Sequence, residues 1–98
     1  MNSKIKSKEV DFLFDAILQL KTREECYMLF EDLCTVQEMK ALSQRLVVAK
    51  MLSEGRVYSD IVKNTGASTA TINRVKRSLD YGCDSYSLVF DRMEAEGK

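Results

Sequence analysis

No proline occurs in this chain, and only four of its 98 residues are glycine. Because proline and glycine are the usual breakers of long periodic segments, their scarcity favours helices joined by short turns. Hydrophobic residues make up 45% of the sequence and charged residues 31%, which is typical of a globular chain and too apolar for a disordered one. The sequence therefore predicts an all-α fold, and its length predicts one domain.

Two capping boxes divide the first half of the chain into three predicted helices. The first helix covers residues 9–20, where apolar side chains recur at three- and four-residue spacing. Thr22-Arg-Glu-Glu25 and Thr35-Val-Gln-Glu38 then open the second and third helices, because each Thr oxygen and Glu carboxylate can satisfy free amides of a first turn. Gly55 stops the third helix. The residues predicted on its buried side are Met39, Leu42, Leu46, Ala49 and Leu52.

The first two predicted helices carry apolar residues over more of their circumference than a single buried face requires. Phe12 and Leu20 widen the apolar stripe of the first helix well beyond one side. A helix that is hydrophobic nearly all round needs cover on nearly all sides. A homodimer with exchanged or interlocked N-terminal helices would supply that cover. A compact monomeric bundle is the alternative that the pattern leaves open.

The residue inventory argues against several kinds of function. The chain has no His, and its three Cys residues, at positions 26, 34 and 83, form no CxxC pair. This disfavours a zinc site, a disulfide framework and Ser-His or Cys-His catalysis, so we expect no metal, no cofactor and no enzymatic activity. No apolar run approaches the length of a membrane span, and the basic residues 1–8 lack the apolar stretch of a signal peptide. We therefore expect a cytoplasmic protein that does not contact membranes.

The charges are balanced overall but unevenly distributed. Fifteen basic residues match fifteen acidic ones. Between Gly55 and Leu79, however, five basic residues accompany a single acidic one, whereas residues 9–40 and 80–98 are acidic on balance. One short basic segment inside an otherwise acidic chain indicates a surface for an anionic partner.

That basic segment has the pattern of a helix-turn-helix. "YSDIVKNTG" predicts one or two helical turns with Ile61 and Val62 inward, followed by a turn at Gly66. Ser68 is a good N-cap for a second helix over about residues 69–80. The inward residues of that helix are Ile72, Val75 and Leu79. Two short helices joined by a glycine-containing turn match the motif, in which the second helix enters the DNA major groove.

The exposed face of this second helix carries side chains suited to a DNA groove. Arg can pair with guanine, Asn with adenine, and a small apolar side chain can meet a thymine methyl. The residues on this face are Ala70, Asn73, Arg74 and Arg77, with Thr69 and Lys76 on its flank. We predict base-edge contacts from Asn73, Arg74 and Arg77, and phosphate contacts from Lys63, Ser68, Thr69 and Lys76. A solvated helix that happens to be basic is the alternative. A last helix is predicted from about Ser85, with Tyr86, Val89, Phe90 and Met93 on one face.

The segments "LCTVQEMKALSQRLVVAKMLSEG" and "TGASTATINRVKRSLDYG" resemble the Trp repressor family, most closely its YerC/YecD branch of TrpR-related bacterial proteins. The upstream "AILQLKTREECYMLFEDLCT" is also similar to that branch, so the resemblance covers about residues 9–82. It implies a six-helix all-α subunit, an intertwined homodimer, and binding of double-stranded operator DNA by a transcriptional regulator. We expect a single domain over residues 1–98 with a basic flexible N-terminus (1–8), dimerisation helices (9–55), the helix-turn-helix (57–82) and a C-terminal helix (85–98).

The resemblance also implies where a ligand pocket would lie. The Trp repressor binds tryptophan as corepressor between its third helix and its recognition helix, using Thr and Arg side chains. The matching positions here are Thr35, Arg45, Thr71 and Arg74. After the second pocket arginine the repressor has glycine, whereas this chain has Val75, whose branched side chain should intrude on the indole slot. We therefore predict no tryptophan binding and leave any small-molecule effector unidentified. Simpler roles are a surface ion pair for Arg45 and a DNA contact for Arg74.

Two functions follow as hypotheses. The first is a sequence-specific DNA-binding transcriptional regulator, a repressor, that acts as a symmetric dimer. The second is a helical protein-interaction module whose basic patch docks an acidic partner. The second predicts no retention on heparin beyond that of a neutral protein.

Overall fold

The computed structural model describes residues 3–97, which contain six α-helices and no β-strand. The helices are α1 (Lys8–Ile17), α2 (Arg23–Leu33), α3 (Val36–Ser53), α4 (Tyr58–Thr65), α5 (Thr69–Tyr81) and α6 (Ser85–Ala95), and a single 3-10 turn (Ser3–Ile5) precedes α1. The predicted all-α fold is confirmed. Positions 1 and 2 of the predicted N-terminal segment and position 98 of the predicted C-terminal helix lie outside the described residues.

The two predicted capping boxes set where α2 and α3 begin; the α3 box forms as predicted, whereas in the α2 box the Glu25 carboxylate bonds the N–H of the residue before the N-cap. Thr22 Oγ1 accepts a hydrogen bond from the Glu25 N–H (3.1 Å), and Glu25 Oε1 accepts one from the Lys21 N–H (2.8 Å). At the start of α3, the Glu38 N–H donates to Thr35 Oγ1 (3.1 Å), and the Thr35 N–H donates to Glu38 Oε1 (2.8 Å). Hydrogen bonds from the backbone and side chain of Thr35 hold the pKa of Glu38 below its ordinary value.

The helix ends follow local backbone chemistry. Gly66 adopts a left-handed φ of 70° after α4. Glycine reaches this conformation without steric strain because it has no Cβ. Gly82 is the C-cap of α5, and a side chain would not fit at this position because its Cβ would collide with the carbonyl oxygen of Ser78. The first helix stops at Ile17 and not at residue 20 as predicted. Short-range bonds, including one from the Leu20 N–H to the Ile17 carbonyl (3.0 Å), tighten its last turn and leave no further α-helical pairing.

Contacts between residues divide the described chain into two compact units, one ending at Met39 and the other beginning at Lys40. In the first unit, no residue of α1 or α2 is buried. The prediction of one domain with the four segments given above stays a prediction. Within the described residues, every helix is too short or too polar to span a bilayer.

The hydrophobic core belongs to the second unit and lies beneath α4 and α5. Its buried members are Val48, Ala49, Met51, Ile61, Ala67, Ile72 and Val75, and the half-buried Leu52, Tyr58, Tyr86 and Phe90 pack against them. Burying one large aliphatic side chain stabilises a fold by about 1.5–3 kcal/mol. Ile61 and Ile72 are both fully buried, so each of α4 and α5 is fixed to this core by an isoleucine.

Some predicted inward positions are wrong. On α3, Leu42 is 45% exposed and Leu46 is also exposed, whereas Val48 and Met51 are buried beside the correctly predicted Ala49. The apolar residues of α3 run round most of the helix, so its own sequence does not determine which side the core covers. On α4, Ile61 is buried as predicted but Val62 is 39% exposed, because only one side of this short helix meets the core. For α6 only a shared face was predicted; of its residues, Tyr86 and Phe90 pack on the core, while Val89 and Met93 are exposed.

Candidate nucleic-acid interface

The turn between α4 and α5 is closed by a set of short hydrogen bonds. The Gly66 N–H donates to the Val62 carbonyl at 2.9 Å. Thr65 Oγ1 donates to the Ile61 carbonyl (2.6 Å) and accepts from the Ala67 N–H (3.1 Å). Ala67 is itself buried in the core. The turn therefore fixes the direction in which α5 leaves α4, and the predicted helix-turn-helix segment is folded as two helices joined by residues 66–68.

Ser68 caps α5 as predicted. Its Oγ accepts a hydrogen bond from the Thr71 N–H (3.1 Å) and donates to Thr71 Oγ1 (3.1 Å). The single hydroxyl proton of Ser68 is thus already used inside the cap. A phosphate at this helix start would meet the free backbone N–H groups of Thr69 and Ala70 rather than the Ser68 hydroxyl.

Burial along α5 agrees with the predicted faces. Ile72 and Val75 are buried and Leu79 is half-buried. The residues of the opposite face, and the two on its flank, are all exposed: Thr69, Ala70, Asn73, Arg74, Lys76 and Arg77. A ridge of aliphatic side chains therefore holds the helix while its amide, guanidinium and ammonium groups face outward. The role of these groups as DNA contacts stays a prediction.

The cations of this surface differ in what they contact. Lys76 Nζ lies 3.3 Å from Asp80 Oδ2, one helical turn along, and both side chains are about half exposed. Within the described chain, the guanidinium groups of Arg74 and Arg77 and the ammonium group of Lys63 have no hydrogen bond or ion pair. These three positive charges are therefore available to an anionic partner without first breaking a bond.

One contact of this surface has no signal in the sequence. Tyr58, the first residue of α4, donates a hydrogen bond from its hydroxyl to Asn73 Oδ1 on α5, at 2.9 Å. The two residues are 15 positions apart, and neither period nor capping pattern links them. Tyr58 was not among the predicted site residues, and only the packing of α4 on α5 brings it there.

Of the four residues predicted for a ligand pocket, three form local hydrogen bonds with different partners, whereas the Arg74 side chain forms none within the described chain. Thr35, in the first unit, caps α3 through its bonds with Glu38. In the second unit, Arg45 Nε donates to the carbonyl of Ala41 on its own helix (3.2 Å), and Thr71 takes part in the Ser68 cap. A groove of about 360 Å³ between α3 and α4 contains none of the four. Its lining residues are Lys40, Ser43, Gln44, Val47, Asn64 and Thr65.

Val75 is only 2% exposed and belongs to the core, as the helical spacing predicted. A side chain packed on all sides has no free space to move into. The position that is glycine in the Trp repressor is therefore filled here by a fixed, branched side chain.

The described part of the chain is thus a helical protein in which α5, directly after the glycine turn, carries an exposed basic face. The family described as "Trp repressor protein" matches residues 8–94, which is most of the chain, so the chain belongs to the Trp repressor family. The predicted resemblance is confirmed. Proteins of this family bind DNA and are typically dimeric, and their fold is that of a regulator rather than of an enzyme.

Individual relatives agree with this assignment. The chain is 56% identical over 91 residues to the uncharacterized protein YerC of Bacillus subtilis (strain 168), covering 93% of this chain and 88% of YerC. It is similar to a protein from Staphylococcus aureus whose crystal structure is provisionally described as that of a Trp repressor. The TM-score is 0.92 and the identity 56%, and the match covers 96% of this chain and 95% of the other. A TrpR-like protein from Eubacterium eligens ATCC 27750 gives a TM-score of 0.92, 57% identity and coverage of 95% and 96%.

Proposed function

We propose that this protein is a sequence-specific DNA-binding transcriptional regulator that acts in the cytoplasm as a repressor. The observation that carries the proposal is the outward face of α5, where Arg74 and Arg77 stand unpaired on a helix anchored by the buried Ile72 and Val75. Membership of the Trp repressor family supports it.

The residues of this face divide by chemistry. Arg74 and Arg77 suit guanine edges because a guanidinium donates two parallel hydrogen bonds, and Asn73 suits a base edge through its amide. Ala70 suits contact with a thymine methyl. Phosphate contacts fall to Lys63 and Lys76 and, through free backbone N–H groups rather than the Ser68 hydroxyl, to the start of α5 at Ser68 and Thr69. These contacts position the helix without carrying sequence information.

We further propose that the chain binds DNA as an intertwined homodimer. The exposed apolar side chains of α1 and α2 support this, since they are the ones that a second copy would cover. In dimers of this motif the two recognition helices meet half-sites roughly 34 Å apart, on one face of the duplex. The operator should then be near-palindromic.

Tryptophan is not proposed as a ligand. The buried Val75 side chain supports this part of the proposal, since overpacking of a filled site costs about 1–3 kcal/mol.

The proposal is tested by incubating the protein with fragmented genomic DNA at physiological salt and sequencing the recovered fragments. We expect an enriched near-palindromic motif with half-sites about 10 base pairs apart. Arg77→Ala should lose the enrichment. Arg92→Ala, which removes another exposed arginine, on α6, should keep it.

Two outcomes would contradict the proposal. Recovery of DNA without any enriched motif would leave a nonspecific DNA contact. No recovery, together with heparin retention no stronger than that of a neutral protein, would favour the module that docks an acidic protein partner.

A further inference from the structure

The hydrogen bond from the Tyr58 hydroxyl to Asn73 Oδ1 (2.9 Å) links the two helices on the side that faces outward. The two ends of this bond differ in freedom. The Tyr58 ring is half-buried and packs on the core, whereas Asn73 is exposed. The packing of the ring therefore fixes the position of the Tyr58 hydroxyl. The hydrogen bond restrains the Asn73 side chain, which would otherwise rotate freely in solvent.

In this bond the Tyr58 hydroxyl is the donor and the Asn73 amide oxygen is the acceptor, and this assignment sets which end of the amide faces outward. A primary amide is planar and carries its acceptor oxygen and its donor NH₂ group at opposite corners. With Oδ1 turned toward Tyr58 on α4, the Nδ2 group points away from it. The described chain gives the Asn73 side chain no other hydrogen bond. Its two N–H donors are therefore free for a partner.

We propose that Tyr58 is a positioning residue that fixes Asn73 as a hydrogen-bond donor and thereby excludes cytosine at the base that Asn73 faces; this inference rests on the proposed function. In the major groove, guanine, adenine and thymine each present an acceptor, whereas cytosine presents only its amino donor. Two donors that face each other leave both unsatisfied, which costs more than a missing bond.

The tether also changes what Asn73 can do with adenine. The two-bond pairing of asparagine with adenine needs Oδ1 as an acceptor for the adenine amino group. Tyr58 already occupies one lone pair of that oxygen and turns it toward α4. Asn73 therefore acts by exclusion of cytosine more than by selection of adenine.

The test compares the base preferences of three proteins on a library of operators with randomised half-sites. Tyr58→Phe keeps the ring and removes the hydroxyl. Tyr86→Phe is the matched control, because Tyr86 is also half-buried, packs on the same core and has no hydrogen bond from its hydroxyl in the described chain. We expect Tyr58→Phe to weaken the discrimination against cytosine at one half-site position by about threefold to tenfold. Tyr86→Phe should leave it unchanged.

Two further measurements separate positioning from a merely structural role. In the free protein, the side-chain amide resonances of Asn73 should shift in Tyr58→Phe and stay in place in Tyr86→Phe. In an Asn73→Ala background, Tyr58→Phe should have no additional effect on base preference, because the residue through which it acts is gone.

The outcomes distinguish this inference from the proposed function. Unchanged Asn73 resonances in Tyr58→Phe would overturn the inference alone. So would an equal loss of affinity for all sequences, which would mean that the amide contacts a phosphate, or an effect of Tyr58→Phe that persists without Asn73. A wild-type protein that enriches no motif would overturn the proposed function, and the inference with it.

Discussion

Among the described residues, Lys76 has an ion-pair partner, whereas the side chains of Arg74 and Arg77 have none. A half-exposed surface pair such as Lys76–Asp80 contributes only about 0–1 kcal/mol, so a phosphate can take the place of Asp80. Lysine also lacks the planar fork with which arginine reads a guanine edge. Both facts favour a phosphate contact for Lys76 and leave the base edges to the arginines.

We predict that Lys76→Ala lowers the dependence of DNA affinity on salt. Each phosphate that a basic side chain neutralises releases condensed counterions and contributes about 0.9 to the slope of log affinity against log salt concentration. Lys76→Ala removes one such ammonium group from each chain of the proposed dimer, so the slope should fall by about two units. Filter binding or fluorescence anisotropy between low and physiological salt measures it.

Lys21→Ala serves as the control, because Lys21 lies outside the basic segment and should leave the slope unchanged. Arg77→Ala should weaken binding as well, with a loss that depends on the operator sequence. An unchanged slope in Lys76→Ala would show that this ammonium group does not meet a phosphate.

Val75 supports a second prediction: calorimetry with tryptophan should show no saturable heat at micromolar concentrations. The side chain is fixed in the core, and an indole that displaced it would lose about one to two decades of affinity. Saturable micromolar binding would contradict this account of the site.

The core role of Val75 is checked by denaturant unfolding. Val75→Ala should lower the free energy of unfolding by about 2 kcal/mol, because it leaves a cavity where no neighbour is free to move. Val57→Ala is the control at a largely exposed valine and should change it by less than about 0.5 kcal/mol.

Where α2, α3 and α5 begin could be predicted from the sequence, because a helix start depends on residues within one turn of it. Thr22, Thr35 and Ser68 each accept the hydrogen bond that their spacing implied. The buried side of α3 could not be predicted, since the elements that cover Val48 and Met51 lie elsewhere in the chain. The same limit hid Tyr58, whose bond to Asn73 crosses between two helices.

The capping box of α3 predicts a pH dependence. Its bonds with Thr35 lower the pKa of Glu38 in the folded protein, so the ionised form stabilises the fold. This contribution is fully present above the pKa of Glu38 in the unfolded chain. It is lost as the pH falls through the lowered pKa of the folded state. Glu38→Gln should therefore reduce the loss of unfolding free energy on acidification, because glutamine still caps the helix and does not titrate.

Urea unfolding over a series of acidic pH values measures this effect. Glu31→Gln is the matched control, since Glu31 is an exposed carboxylate on α2 without a hydrogen bond in the described chain. Equal acid sensitivity of Glu38→Gln and the wild type would show that the Thr35 bonds do not stabilise the charged form.

For the molecule as a whole, the exposed apolar surface of the first unit is the feature that the single chain does not explain. Phe12 is 75% exposed and Leu18 77%, and Tyr27, Met28 and Leu33 on α2 are exposed as well. Large apolar surfaces of this kind mark association sites. The two helices are well formed by their own caps and spacing, yet none of their residues is fully buried in one copy. Their stability should therefore depend on a second copy.

A dimer predicts that thermal stability rises with protein concentration. Dissociation accompanies unfolding in an obligate dimer, so a tenfold increase in concentration should raise Tm by about 3–5 °C for an assembly of two such chains. Light scattering should give twice the chain mass of 11.2 kDa.

Leu18→Lys should lower both the mass and Tm, because it places a charge on the surface that the partner covers. Val57→Lys, at an exposed valine outside the first unit, should keep the dimer. A wild-type protein with the mass of one chain and a Tm independent of concentration would show that α1 and α2 are stable without a partner, and the intertwined dimer would then be wrong.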